Sequence, residues 1–192
     1  MSRHSLWLVL ALWLLLVLTQ SLDVSYLAYN RDAITKGDYW RLITGHFIHL
    51  NHMHLLLNML GVGMVLMLFD HLLAIWQWIV VLLASALIIS LLIYLNLPQV
   101  QAYVGLSGVI HTLYVLGTLQ LLNQPKERNF AIILMLMVTL KLLTENVGQG
   151  ISFTADMIGG RVLYQAHLYG ALAGLFLGAI VVVLKHLHRQ KK

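Results

Sequence analysis

The chain has 192 residues, 60% of them hydrophobic and only 10% charged. Average soluble domains carry roughly 45–50% apolar and about 25% charged residues, so both departures exclude a water-soluble globule, a disordered tail and a nucleic-acid module. The formal charge of +5 is concentrated in a few short segments, which is a pattern of membrane topology and not of a polyanion-binding patch. With no cysteine, disulfides, thiolate nucleophiles and Cys-based zinc sites are excluded as well.

A membrane-spanning helix needs about 20 mostly apolar residues. In chain order such runs are read at 6–22, 53–69, 72–95, 106–122, 130–143 and 166–184. The runs are continuous and do not alternate, so they predict an all-α membrane protein, one six-helix domain over residues 1–192, and not a barrel. Arg3 before the first run and Thr19–Gln20–Ser21 after it imitate a signal peptide. Further spans follow, so an uncleaved anchor is expected. If the N-terminus is cytoplasmic, the inside segments hold Arg3, Lys126, Arg128, Lys185, Arg189, Lys191 and Lys192, against Arg31, Lys36, Arg41 and Arg161 outside. That bias predicts that both termini are cytoplasmic. The first outside loop, 23–52, is semi-polar, with Tyr39 and Trp40 suited to the interface. The fifth run is short and carries Lys141. Beyond it, the loop 145–165 holds Gly148, Gly150, Gly159 and Gly160 and reads as mobile.

Polar groups inside a bilayer are costly, by roughly 2.5–3.5 kcal/mol for a charge at a helix centre, and usually functional. Here they are His54 and Asn58 on the second run, Ser107 and His111 on the fourth, and His167 on the sixth. The even-numbered runs enter the membrane from the same side, so these residues share one shallow outer layer. The run 106–122 gives only about 25 Å of helix at 1.5 Å per residue, which sets Ser107 below the surface and requires a water-filled cavity. His167, Gly170, Gly174 and Gly178 form a small-xxx-small stripe, and Gly105 and Gly108 flank Ser107. Close approach of those two helices would bring an imidazole to a serine hydroxyl, the requirement for an activated nucleophile. His54, Asn58 and the Ser107 N–H at a helix N-terminus would then suit an oxyanion.

These residues resemble the landmarks of the rhomboid intramembrane serine proteases: Gly105–Leu106–Ser107–Gly108 is similar to their GxSG, His54-x3-Asn58 to their second-helix motif, and Ala166–His167-x2-Gly170-x3-Gly174 to their AHxxGxxxG. Trp40–Arg41 resembles the WR pair of the family's membrane-embedded loop, with plain interfacial anchoring as the other reading, and His49 matches a histidine common there. The resemblance implies Ser107 as nucleophile and His167 as base, a dyad without an acidic third member. It further implies His54, Asn58 and the Ser107 N–H as oxyanion hole, a transmembrane protein as substrate within membrane lipid, and no metal or organic cofactor. The family often has Tyr four residues after the serine, where this chain has His111, for which a packing or substrate-facing role is expected. The compact body and the sequence GLSGVIH resemble the rhombosortase branch, associated with Gly-Gly C-terminal sorting tails and a bacterial inner membrane. Lys141 and Glu145, at i, i+4, read as a neutralising ion pair near the outer surface.

Two other classes compete with this reading. His46, His49, His52 and His54 could serve a metal-dependent membrane hydrolase or transporter, although no HExxH accompanies them. A catalytically inactive rhomboid relative that binds membrane clients is the second, although such relatives usually lack the serine or histidine present here.

Overall fold

The computed structural model describes residues 3–147 and 153–190. Gly148, Gly150, Lys191 and Lys192 lie outside the described residues. The chain begins with helix α1 (Arg3–Gln20) and then a folded loop: α2 (Val24–Leu27), the strand β1 (Tyr29–Asn30), α3 (Arg31–Thr35), α4 (Arg41–Thr44) and a 3-10 turn, Gly45–Phe47. The long helices α5 (His52–Phe69) and α6 (Ile75–Asn96) follow, then β2 (Ala102–Tyr103), α7 (Ser107–Leu122), α8 (Arg128–Val147), the short α9 (Phe153–Ile158) and α10 (Tyr164–Gln190). Helices α5, α6, α8 and α10 are long and apolar enough to cross a membrane, while α1 and α7 are shorter apolar helices. The protein is an all-α integral membrane bundle.

Helix α7 is the axis of that bundle. Its apolar residues are spread round the whole helix, and its buried residues run from Gly108 through Leu121, as expected of a helix enclosed by others. Its 16 residues amount to about 24 Å, short of the hydrocarbon thickness of about 30 Å. It packs on α5, α6 and α8, and most extensively on α10. The contact with α10 is made backbone to backbone. A Cβ on Gly170 would land on the Gly108 carbonyl, and one on Gly174 would lie 2.7 Å from the Thr112 carbonyl oxygen. Two side chains of α7 also donate across the seam, Thr112 Oγ1 to Gly170 O at 2.8 Å and Gln120 Nε2 to Gly178 O at 3.1 Å. The outward faces of α8 and α10 carry exposed Ile133, Leu136, Met137, Leu140, Leu172 and Phe176, a surface suited to acyl chains.

The loop between α1 and α5 is ordered by two arginines. Arg31 donates to the carbonyls of Ile93, Tyr94, Leu97 and Val100 at 2.9–3.1 Å, satisfying the orphan carbonyls where α6 ends. Arg41 is buried; it donates to Ser25 O and Ala28 O and pairs with Asp38 at 3.0 Å. The interfacial-anchor reading therefore fails for Arg41, whose charge is spent on the loop's own carbonyls. Trp40 is 41% exposed and meets the ring of Tyr26. The two-residue ladder β1–β2 ties this loop to the segment leading into Ser107. Gly105 N–H donates to Gly45 O at 3.0 Å in the same region.

The fifth span differs from the sequence expectation. Helix α8 runs to Val147, so Glu145 belongs to its last turn and not to a loop. The physical reason is its ion pair with Lys141, one turn back, which neutralises both charges on the helix.

Candidate active site

Gly105 sets the approach to Ser107. Its φ of +117° is a backbone conformation that side-chain-bearing residues rarely adopt, and a Cβ there would lie 2.6 Å from His54 Cε1. The chain then turns into α7 with Ser107 at its first position, and Leu106 at the N-cap offers no capping group. The Ser107 hydroxyl and its adjoining amide thus stand at the positive end of a helix.

Ser107 Oγ lies 2.9 Å from Nε2 of His167, one turn into α10. The other ring nitrogen, Nδ1, lies 2.9 Å from Glu145 Oε2, while Glu145 Oε1 pairs with Lys141. A carboxylate only accepts, so Nδ1 carries a proton, and in the neutral imidazole it is then Nε2 whose lone pair faces the serine O–H. Glu145 is the residue that the sequence reading placed elsewhere, as the partner of Lys141 alone.

His111 stands one turn after Ser107 on α7. Its ring lies flat on His167, with centroids 4.4 Å apart and planes at 15°, and its Nδ1–H donates to Ser107 O at 2.7 Å. His54 receives a long contact, 3.4 Å, from Leu50 N–H at Nδ1, which leaves Nε2–H as its donor beside Gly105. Asn58 donates one Nδ2 hydrogen to His54 O at 2.8 Å and retains a second. His54, Asn58, Ser107, His111 and His167 all line one cavity of about 460 Å³. Helix α9 borders that cavity with Thr154 and Ile158, and Asn51 Nδ2 holds it to the start of α5 by donating to Ile158 O at 2.6 Å.

His46 and His49 sit behind this layer in the loop. His46 Nε2 meets Ser90 Oγ at 2.9 Å, and the His49 ring stands edge-on to His54 at 5.0 Å. Burial pushes the imidazole of His46 down to about 4 and that of His49 down to about 3, the latter also through the neighbouring His54, so both are neutral at pH 7. A base whose folded pKa is depressed stabilises the fold above its ordinary value near 6.5 and loses that contribution as pH falls toward 4. The detergent-solubilised protein is expected to melt at lower temperature across that window, and His46→Leu to flatten the slope. An unchanged slope in the variant would refute this source.

The four loop-side histidines do not gather round a common point, since His46 turns to Ser90 and His52 is exposed. Among the described residues the metal-capable group is His111, Glu145 and His167, with ligand atoms within 4.8 Å. Its geometry suits an ion poorly: stacked rings have parallel, not converging, lone pairs, and both His167 nitrogens already have protein partners.

A hydroxyl held against an imidazole in a cavity among apolar helices is an arrangement that nucleophilic chemistry inside a membrane could use. The Rhomboid domain family matches residues 36–184, and the chain belongs to the rhomboid family of intramembrane serine proteases. The protein of Bacillus subtilis (strain 168) named "Putative rhomboid protease YdcA" is 25% identical over 190 residues, which cover 92% of this chain and 88% of that one.

Proposed function

We propose that this chain is a serine endopeptidase that cuts transmembrane segments near the outer face of a bacterial inner membrane, crossing it six times with both termini cytoplasmic. The observation that carries the reading is the 2.9 Å approach of Ser107 Oγ to His167 Nε2 inside a cavity among apolar helices. Oγ attacks the scissile carbonyl as its proton passes to Nε2. The resulting oxyanion accepts hydrogen bonds from the Ser107 amide, the second Nδ2 hydrogen of Asn58 and His54 Nε2–H. The C–N bond then breaks as Nε2 returns the proton to the leaving amine. Water enters from the cavity, gives a proton to Nε2 and opens the acyl-enzyme, and Nε2 hands that proton back to Oγ.

The substrate class we propose is a Gly-Gly C-terminal sorting tail. Small residues are favoured because a scissile carbonyl must come within reach of Oγ at the first position of α7, where a segment with little side-chain bulk lets its backbone approach most closely. Co-expression with a Gly-Gly-tailed membrane protein is expected to yield a shortened product whose new C-terminus, read by mass spectrometry, lies at the tail. Ser107→Ala is expected to leave the tail intact, and wild type alone is expected to take a fluorophosphonate label on Ser107. Processing by the Ser107→Ala variant would defeat the protease reading. Cleavage of other transmembrane segments with the Gly-Gly tail untouched would defeat only the substrate class.

A further inference from the structure

We infer that Glu145 is the third member of a Ser–His–Glu relay, positioning His167 and stabilising its protonated form; this rests on the serine-protease reading above. The two oxygens of Glu145 have separate partners, Lys141 at Oε1 and His167 Nδ1 at Oε2. The His167 side chain is 5% exposed and that of Glu145 12%, so water does not compete freely for this contact. A neutral imidazole has two tautomers, and only the one protonated at Nδ1 can act as base toward Oγ. The carboxylate selects that tautomer. When the serine proton moves to Nε2, the new imidazolium already faces a fixed negative charge. Glu145 itself stays ionised throughout. From the other faces His167 meets His111, stacked at 4.4 Å, and Tyr164, edge-on at 6.2 Å; neither supplies a charge-balancing anion.

Lys141 has a different part. An uncompensated carboxylate at this depth is costly, and the ammonium one turn away along α8 reduces that cost. The bland alternative is that Glu145 exists only to neutralise Lys141. The two accounts differ in what each half of the pair does: an ion pair is lost equally by removing either partner, whereas a positioning acid is lost only with Glu145.

The test uses the purified full-length protein and the rate at which Ser107 is labelled by a fluorophosphonate, a readout independent of the natural substrate. Glu145→Gln is expected to lower the saturating labelling rate by about 10²–10⁴, as loss of the acid does in triad proteases, with the half-saturating probe concentration unchanged within about threefold. Glu145→Asp is expected to recover at least tenfold of that loss by restoring the charge. Lys141→Met is expected to keep more than a fifth of the wild-type rate. The Lys141→Met/Glu145→Gln double variant, which preserves the net charge, is expected to be as slow as Glu145→Gln alone. Equal effects of the two single variants, or recovery in the double variant, would overturn the inference. Labelling that persists in Ser107→Ala would instead defeat the serine-protease reading itself.

Discussion

His167→Ala is expected to lower proteolysis by about 10⁴-fold or more, the scale on which loss of the base disables serine proteases. His111→Phe is expected to stay within about tenfold of wild type. The two imidazoles lie 4.4 Å apart and face to face, so proximity alone does not separate them. Their hydrogen bonds do. His111 gives Nδ1–H to the carbonyl of Ser107, four residues back on its own helix, which ties that ring to the backbone and not to the hydroxyl. His167 reaches Oγ at 2.9 Å from a different helix. On the proposed reading His111 supplies a flat surface against the ring of His167, which phenylalanine can also present. Full activity in His167→Ala, with none in His111→Phe, would relocate the base. The measurement is initial rate on one transmembrane substrate, each variant checked by size-exclusion chromatography.

Much of this site could be read before any coordinates, because an apolar span makes each polar residue conspicuous. His54, Asn58, Ser107, His111 and His167 stand out against leucine and valine, and the parity of their spans predicts one shared layer. The structure places all five on one cavity. The glycine stripe likewise announces a close seam, since only residues without side chains let backbones touch.

The loop was less legible. Arg31 and Arg41 look like interfacial or topological charges because their partners are main-chain carbonyls, which leave no trace in residue identity. The carbonyls that Arg31 caps lie more than sixty positions away in the chain. Strands of two residues show no alternation to detect. Glu145 was hidden for another reason: its partner at i−4 satisfied it locally, so nothing called for a second one. A signal was nonetheless available. One carboxylate stands just beyond an apolar run, at the same membrane level as a histidine whose Nδ1 had no assigned acceptor.

The seam between α7 and α10 yields the second large effect. Gly170→Ala is expected to cost at least about 10² in activity while the protein still inserts and purifies. The added methyl would fall on the Gly108 carbonyl, a backbone atom that cannot rotate aside as a side-chain tip could. The helices must therefore separate locally, and overpacking of this kind typically costs about 1–3 kcal/mol. Stability is the smaller consequence. Gly170 lies three residues after His167, and Gly108 follows Ser107 directly, so the separation falls on the hydrogen bond between Oγ and Nε2. A displacement of about 1 Å at reacting groups can cost about 10²-fold in rate. Gly61→Ala is the matched control: its new methyl would face the flexible end of Ile110 at 3.1 Å, a neighbour able to yield, and activity is expected to fall less than about fivefold. Comparable losses in the two variants would show that the seam does not set the distance between nucleophile and base. A loss confined to Gly170→Ala, with a melting temperature only modestly lowered, would show that backbone contact between these helices is what holds the serine against the histidine.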